Sequence, residues 1–535
     1  MKMVKNVFLA VFLTFMIMPC PGKESKTDYA ELVSLFKEFR AFVKPEIKDG
    51  VPDYSAKAMQ KQWEELKTFQ KRLMAIDTSG WSLSEQVDFH IVRAEMNGLE
   101  FNHRVLRPWS RDPGFYSIIP RFEQNMYGAF KIPDLPLTED KVEDFQVKLQ
   151  AVPKIFEQAK ENLTEAASDL VILAIKRNER DSKIFQNFIE KLSKHHSDLI
   201  PDAKRALATM DDFRAWLKHN RSKMTATAGI GIDNYNWYLK NVQLFPYTWE
   251  ESMDIIQREY QQAMAILQLE RNRNRNIPPS EPASSSQEYI KRFNDSQEYL
   301  LNFLKKEKIL TVPDYMVLEP LTSFKLPEKP YDFFQECQIR DPLPLMPHDF
   351  VGHRLDAKRH KRNYHPIRGV EFHIYDRRYL FIDAFRNEGF ATGIEEILMH
   401  AGLFDKRPRS REIIYMLRIF RAVRAIADLK MHSNQLSFQE ALEFCAEKTP
   451  YGWAKADSDL LWGDLELYLC QPAYGISYIM GKVQLEKFLS DRASQLGDKF
   501  ILCQFMDEFL AAGQIPITLT RWEMTGLSNE IKQLW

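Results

Sequence analysis

Apolar residues recur at three- and four-residue spacing through most of the chain, a pattern that predicts helices with one buried face. The first such stretch covers residues 29–107 and is interrupted by a turn at residues 49–53. Residues 139–222 predict three further amphipathic helices, and residues 249–269 predict another. Only residues 313–334, which combine β-branched residues with prolines, predict a few short strands. We therefore expect a mainly α-helical protein.

Two stretches without this periodicity predict loops. Residues 108–138 are rich in proline, glycine and aromatic residues, and we expect an ordered loop there. Residues 271–286 begin with alternating arginine and asparagine and continue with proline and serine. Such a composition buries little apolar area, so we predict a mobile surface loop.

The first residues have the composition of a secretory signal peptide. Two lysines precede an apolar stretch, residues 7–18, that is shorter than the roughly 20 residues needed to span a membrane. We predict that residues 1–22 are removed during export to the periplasm or the extracellular space. A retained N-terminal anchor is the alternative. Cys20 would suit a lipoprotein, although Pro19 before it fits a lipid-attachment motif poorly.

Length and charge limit the remaining possibilities. At 535 residues the chain exceeds what one core needs, so we divide the mature part into an N-terminal helical half, 23–330, and a C-terminal half, 331–535. The chain has 73 Lys and Arg against 74 Asp and Glu, which gives no argument for nucleic acid or an anionic membrane surface. No second apolar stretch is long enough to span a membrane, so we expect no transmembrane segment in the mature chain.

The cysteines do not predict a metal site. The four that follow the signal-like segment are Cys337, Cys445, Cys470 and Cys503. None has the C-x-x-C spacing, so we do not expect zinc to be held by sulfur. Export would permit disulfides, and buried free thiols are an equal alternative.

The candidate chemistry lies around two histidines. His348 and His353, together with the distant Glu388, form the ligand set of a catalytic zinc site with an open fourth position. Asp349 stands where a metallopeptidase keeps its general base. The histidines are five residues apart, about 140° on a regular α-helix, and a π-bulge at Gly352 would bring them together. The alternative is that these are ordinary polar residues on a helix.

Polar residues also share one face of a later helix. Arg421, Arg424, Asp428 and His432 follow one another at spacings of three, four and four residues. This face suits partners that orient metal ligands, or a site for a substrate carboxylate. Structural ion pairing is the alternative.

Five segments, in this order, resemble the motifs of the bacterial family called domain of unknown function 885. They are HDFVGH at 348–353, EGFA at 388–391 followed by Glu395, RAVRAIADLKMH at 421–432, QPAYGISYIMGK at 471–482 and FMDEFLAAGQIPITL at 505–519. The family is regarded as zincin-like and peptidase-related. The resemblance implies a large multi-helix fold of the gluzincin type, with a central groove and a few short strands.

The histidine motif departs from the family's H-E-x-x-P-G-H pattern. Aligned without a gap, the family's His-Glu falls on Pro347 and His348, and the site would be inactive. With one residue deleted, His348 and Asp349 take these places, and the motif is similar to the H-E-x-x-G-H of the dipeptidyl-peptidase III family. We prefer the second alignment because it retains an imidazole, a carboxylate, glycine and histidine together.

The resemblance implies a role for each candidate residue. One zinc ion would be held by His348, His353 and Glu388, and Asp349 would activate the water. A tyrosine or histidine would then stabilise the oxyanion. The further candidates are, by role, Tyr478 or His432 for the oxyanion, Arg424 and Tyr474 for substrate binding, and Asp428 and Glu395 for orienting the ligands.

The predicted function is that of an exported, zinc-dependent, peptidase-like hydrolase acting on short peptides. The alternative is a pseudoenzyme that binds peptides or cell-wall fragments without cleaving them. In the family the segment equivalent to Gly229–Gly231 runs towards the groove, which makes it a candidate edge for an extended peptide. A plain turn into a helix is the other interpretation.

Overall fold

The structure, a computed structural model, describes residues 26–120, 129–369 and 384–535. The predicted signal peptide, 1–22, lies outside these ranges. The described part is mainly α-helical, as predicted. The α-helices are α1 (Lys26–Phe42), α2 (Ala56–Met74), α3 (Leu83–Phe101), α4 (Pro108–Arg111), α5 (Glu139–Asn162), α6 (Ser168–Leu192), α7 (Ile200–Asn220), α8 (Ile232–Asn241), α9 (Trp249–Arg273), α10 (Ser286–Glu307), α11 (Phe333–Arg340), α12 (Asp356–His360), α13 (Ala384–His400), α14 (Pro408–His432), α15 (Phe438–Lys448), α16 (Asp459–Cys470), α17 (Tyr474–Leu496), α18 (Leu502–Ala511), α19 (Ile517–Thr525) and α20 (Ile531–Leu534).

Two segments are π-helical rather than α-helical, Asn102–Leu106 and Pro347–Leu355. The second of these carries both candidate histidines and leads directly into α12. Short 3₁₀ turns connect several elements. They are Pro113–Tyr116, Ser197–Leu199, Arg221–Lys223, Leu343–Leu345, Pro450–Gly452 and Gly497–Lys499.

Reciprocal hydrogen bonds fix the start of several helices. In each, the side chain of the residue before the helix accepts from the N–H of the third helical residue, and the side chain of that third residue accepts from the N–H of the residue before the helix. These pairs are Ser82 and Glu85 before α3, Thr248 and Glu251 before α9, Asp332 and Gln335 before α11, and Ser437 and Glu440 before α15. The cap at Asp332 matters most here, because α11 forms one wall of the candidate site.

The strands lie elsewhere than predicted. In the described chain they are β1 (Ile47–Lys48) and β2 (Val51–Pro52), an antiparallel pair joined by a turn at Asp49 and Gly50, so the turn expected at residues 49–53 is confined to its first two residues. Both turn residues have positive φ, as a tight two-residue hairpin requires. The predicted strands in 313–334 are absent, because residues 313–332 form no regular element before α11 begins. Prolines at 313, 320, 327 and 330 lack the N–H that a strand ladder needs.

The two loop predictions have different outcomes. Residues 108–138 contain α4 and a 3₁₀ turn, and 121–128 lie outside the described residues. The segment 271–286 is tied to the protein more than its composition predicts. The Asn274 side chain donates to Pro408 O at 3.1 Å and to Glu412 at 2.8 Å. Ala283 is buried, and its N–H donates to Ile339 O at 2.9 Å.

Gly229 and Gly231 pack against the C-terminal end of α14. The Gly231 N–H donates to His432 O at 2.8 Å. A Cβ built on Gly229 would lie 2.3 Å from Met431 O, so only glycine fits. α8 begins immediately afterwards. This geometry agrees with the plain turn into a helix and leaves no free backbone edge for a peptide at Gly231.

The hydrophobic cores do not follow the predicted division at residue 330. One core lies entirely within 51–224 and is built mainly by α5, α6 and α7. Two larger cores combine residues from both sides of 330, joining α1 and α3 to α17 and α19 in one case, and α9 and α10 to α13 and α14 in the other. Burial of apolar area therefore holds the two predicted halves together.

Two further findings complete the description. All four described cysteines are free thiols, and Cys337 and Cys445 are buried. Burial raises the pKa of both thiols, which favours the unreactive protonated form.

Within the described residues, no helix combines the length and apolar character needed to cross a membrane.

Candidate metal centre

The π-helix Pro347–Leu355 brings the two histidines together. Its nine residues exceed the single bulge that the spacing predicts. π-helical hydrogen bonds connect residues five apart, so residues at i and i+5 lie on the same side. The Nε2 atoms of His348 and His353 are 3.1 Å apart. The unusual spacing of the motif is thus matched by an unusual backbone.

Close packing of α13 on this π-helix brings Glu388 to the histidines. A Cβ on Gly352 would lie 2.4 Å from Ala391 Cβ and 2.5 Å from Ala391 Cα. Glycine is therefore required at 352 because the backbones of the two helices touch. On its other side, α13 crosses α17 at Gly389 and Gly481, where an added Cβ would also meet backbone.

Three side-chain atoms form a compact triangle. Glu388 Oε2 lies 3.5 Å from His348 Nε2 and 3.4 Å from His353 Nε2, which completes the triangle begun by the 3.1 Å histidine pair. Glu388 Oε2 is buried, and no donor in the described chain is aligned to hydrogen-bond it. Across the described ranges, these three residues form the group of His, Cys, Asp and Glu side chains that could hold one metal ion.

Glu395 and Arg421 support His348 from behind. His348 Nδ1 lies 3.0 Å from Glu395 Oε1, and Arg421 donates to both Glu395 oxygens at 2.7 Å. A proton on Nδ1 that is donated to Glu395 leaves the Nε2 lone pair facing the triangle, which is the tautomer that a metal needs. Arg421 Nη2 is also 3.2 Å from Nδ1.

The charges at the triangle are strongly coupled. Burial and Arg421 lower the pKa of His348, but its contacts with the carboxylates of Glu388 and Glu395 outweigh them, so this pKa is raised. Burial would raise the pKa of Glu388, but its contacts with His348 and His353 hold it well below the usual range. Glu388 is therefore a carboxylate at neutral pH, as a metal ligand must be.

Tyr474 and Asp428 make contacts that the sequence does not indicate. The Tyr474 hydroxyl donates to Glu388 Oε1 at 2.7 Å, so it holds the candidate ligand and does not line the cavity described below. Asp428 contacts neither histidine of the triangle. It accepts from the Ile476 N–H at 3.2 Å, and Gly475 leaves space for its carboxylate. Asp428 thus positions the start of α17, the helix that carries Tyr474.

His432 is also a structural residue and a poor candidate for the oxyanion donor. It is fully buried, and its Nε2 lies 3.0 Å from Tyr468 O. It does not line the cavity beside the triangle. Burial lowers its pKa to about 4, so it is neutral at physiological pH. The predicted polar face of α14 therefore reaches the candidate site through Arg421 and Arg424 only.

A cavity of about 300 Å³ opens beside the triangle. Asp349 lines it, but its side chain is exposed and pairs with Arg354 at 2.8 Å. Tyr478 also lines it, with its ring stacked 6.4 Å from that of His348. In the described structure the Tyr478 hydroxyl has no hydrogen-bond partner. Asp349 and Tyr478 are thus the predicted catalytic groups that the structure places at the cavity.

Several lining residues escape the sequence patterns. Asp464 on α16 lines the cavity, and its carboxylate pairs with the guanidinium of Arg424, a residue that the sequence does predict. Phe334 and Gln338 come from α11 and lie one helical turn apart. Only Asp464 carries a usable signal, because it and Glu466 are the two acidic residues inside the otherwise apolar sequence 461–470. The other cavity residues missed by sequence reasoning are Tyr289, Phe293, Pro342, Leu345 and Met346.

Comparison with known proteins places the chain in a family. The profile of a family described as "Bacterial protein of unknown function (DUF885)" matches residues 40–317 and 373–524. The chain belongs to this family, as the motif resemblance predicted. The matched blocks contain Glu388, Glu395 and Arg421 but leave out 318–372, where the two histidines lie.

Solved structures show the same fold. A "putative lipoprotein of unknown function from Shewanella oneidensis" superposes with a TM-score of 0.72 at 13% identity, covering 93% of this chain and 99% of that one. A "putative lipoprotein from Colwellia psychrerythraea" gives 0.69 at 15% identity, with 94% and 99% covered. No curated protein matches the chain.

Proposed function

We propose that the chain is an exported, zinc-dependent, peptidase-like hydrolase with a zincin-like site. The triangle of His348, His353 and Glu388 carries the proposal. A tetrahedral zinc ion with bonds of about 2.0–2.1 Å keeps its ligand atoms about 3.4 Å apart. The three measured separations are 3.1, 3.5 and 3.4 Å. A buried carboxylate oxygen without an aligned donor is costly unless a cation neutralises it.

Each residue at the site has a chemical task in this proposal. His348, His353 and Glu388 would hold the ion, and Glu395 would fix the tautomer of His348. When bound, zinc supplies a Lewis acid that polarises a peptide carbonyl and makes water more acidic.

Two groups that line the cavity complete the proposed chemistry. Asp349 would accept the proton of the attacking water. The Tyr478 hydroxyl is free to donate to the oxyanion that forms on the peptide carbonyl.

Two observations support export. The two solved structures named above are described as lipoproteins, a class that lies outside the cytoplasm, and residues 1–22 have the composition of a signal peptide. We infer that this chain is also exported. Protein recovered outside the cytoplasm should then lack residues 1–22, whereas an intact Met1 on membrane-bound protein would contradict cleavage.

Metal content tests the site directly. The purified full chain should bind about one equivalent of zinc by elemental analysis, and His348→Ala, His353→Ala and Glu388→Ala should each abolish binding. Pro347→Ala is the matched control, because it lies on the same π-helix and is not a ligand. If His348→Ala retained zinc, the result would favour the alignment without a gap to the family's histidine motif, in which the site is inactive.

Activity tests the reaction. Asp349→Asn should keep zinc and cleave a peptide library about 100-fold or more slowly, the range for loss of a general base. Asp349→Glu should also impair cleavage, because the longer side chain would crowd the water. A strong gain of activity in Asp349→Glu would instead identify the natural protein as a weakened enzyme.

A specific observation favours the alternative of a peptide- or cell-wall-binding pseudoenzyme. The family profile does not cover the histidine segment, and Asp349 is exposed and paired with Arg354. If the zinc-loaded chain binds peptides but no variant cleaves any, the binding function is the correct one.

A further inference from the structure

One side of the cavity beside the metal triangle is an apolar wall. We define this wall as Tyr289 and Phe293 of α10 together with Phe334 of α11. Tyr289 is buried, and its ring centroid lies 4.0 Å from that of Phe324, which does not line the cavity. Aromatic rings of this kind bury large apolar area when a ligand side chain packs on them. The cavity volume, about 300 Å³, lies at the lower end of the range of ligand sites.

The charged groups around the cavity are already paired. Arg421 is held by Glu395 with two hydrogen bonds, and Arg424 is held by Asp464. A substrate carboxylate would have to break one of these buried pairs, which is unfavourable because it removes a buried charge from its partner. Arg424 is therefore poorly suited to the predicted role of binding a substrate carboxylate. The cavity favours a neutral group.

One neutral polar group is free to bind a ligand. Gln338 lines the cavity one helical turn after Phe334, and among the described residues its amide has no hydrogen-bond partner. A side-chain amide can donate to a peptide carbonyl and accept from a peptide N–H at the same time. The geometry of α11 thus presents an apolar ring and a backbone-binding amide to the same space.

We propose that this cavity is a subsite for one bulky apolar residue of a peptide, aromatic residues above all. The apolar wall contacts the side chain, and Gln338 holds the peptide backbone next to the metal triangle. This inference rests on the proposed function in taking a peptide as the occupant. It adds the class of side chain that the site selects.

Binding measurements on the zinc-loaded full chain test the subsite without requiring cleavage. The probes are N-acetyl dipeptide amides that carry Phe, Ala or Glu at one position, measured by isothermal titration calorimetry. The Phe probe should bind at least about 10-fold more tightly than the Ala probe, with the Glu probe weakest. Equal affinity for all three, or binding of none, would overturn the inference.

Two substitutions on α10 make the test specific. Phe293→Ala should remove about 10-fold of the advantage of Phe over Ala, because it opens the wall. Phe303→Ala is the matched control, since Phe303 is half-buried on the same helix and does not line the cavity. An equal loss of selectivity in both variants would point to a general effect on α10 and against the subsite.

Gln338→Leu separates backbone binding from side-chain selection. It should weaken all probes by a similar factor, about 10-fold, while zinc content stays unchanged. Unchanged affinities would show that Gln338 does not hold the peptide. If the protein cleaves a peptide library without preference for bulky apolar residues, the subsite is contradicted and the proposed peptidase is supported.

If the protein binds the Phe probe selectively but cleaves no peptide, the subsite is supported and the proposed peptidase is contradicted.

Discussion

Two neighbouring glutamates on α13 have different partners, which allows the support of His348 to be tested residue by residue. Glu395 lies 3.0 Å from His348 Nδ1 and accepts two hydrogen bonds from Arg421. Glu396 points the other way, towards Arg418 at 3.6 Å and Lys482 at 3.5 Å. Both glutamates are buried and ion-paired. Only Glu395 touches a candidate metal ligand.

Glu395→Gln should therefore weaken zinc binding by about 10- to 100-fold, the usual effect of losing a residue that orients a ligand. The two substitutions should lower the free energy of unfolding to similar extents, because both remove a buried charge. Glu396→Gln, however, should leave zinc affinity within about twofold of the wild type. Competition with a chromogenic chelator measures the affinity, and urea denaturation measures the stability. Equal zinc affinities for the two variants would exclude an orienting role for Glu395.

Because His432 is buried, we expect the free energy of unfolding of the protein to depend on pH. Its pKa in the folded protein is about 4, against 6.5 when exposed, because burial disfavours the charged ring. Between these values the unfolded chain binds more protons than the folded one, so stability falls as the pH drops below 6.5. At pH 5 this single group should remove about 2 kcal/mol of the stability present at pH 7.5.

The comparison of wild type with His432→Gln isolates this contribution. Urea denaturation at pH 7.5 and pH 5 should show a loss that is about 2 kcal/mol smaller in the variant, because glutamine does not titrate. The same pH-dependent loss in both proteins would show that His432 does not titrate as its burial requires.

At the scale of elements, the contact of α13 with the π-helix creates the site. Gly352→Ala should push the helices apart, because the new Cβ would meet Ala391 backbone at 2.5 Å. We expect a loss of about 1–3 kcal/mol in the free energy of unfolding, together with weaker zinc binding. Gly393→Ala is the control on α13, the other helix of this contact, since its Cβ would meet only the flexible end of Leu485. If both variants bind zinc equally well, the close approach at Gly352 does not position Glu388.

Local sequence patterns predict several of these helices. Helical periodicity predicts α5, α6 and α7 within 139–222, because each helix buries one face of its own sequence. The spacing of His348 and His353 predicts the departure from α-helical geometry. Such signals are local, so they can be read from neighbouring residues.

Features that depend on distant partners leave no such signal. Asn274 is held by Pro408 and Glu412, more than 130 residues away, and composition alone predicts a mobile loop there. The pairing of Arg424 with Asp464 is likewise invisible in spacing. When this pairing is not known, the sequence predicts that Arg424 is an unpaired cation that could bind a substrate. The cavity wall is assembled from α10 and α11, and only the tertiary fold brings these helices together.

At the scale of the whole molecule, α6 and α16 join the two sides of the chain through two ion pairs. Arg177 and Glu466 are both buried and in direct contact. Lys176 and Asp459 lie 3.7 Å apart, and Asp459 is almost fully exposed. The same two helices thus offer a buried and an exposed pair for comparison. Because two of the cores cross residue 330, we expect these pairs to act on the unfolding of the entire protein.

Glu466→Gln should lower the free energy of unfolding by about 3–5 kcal/mol, since it removes the negative charge that directly contacts the buried Arg177 guanidinium. Asp459→Asn, the matched control, should cost less than about 1 kcal/mol, because exposed pairs are screened by solvent. Urea denaturation followed by circular dichroism measures both, and a single transition should persist in each variant. Two separate transitions in Glu466→Gln would show that the N-terminal and C-terminal halves unfold independently. Equal costs for the two substitutions would show that the buried pair contributes no more than the exposed one.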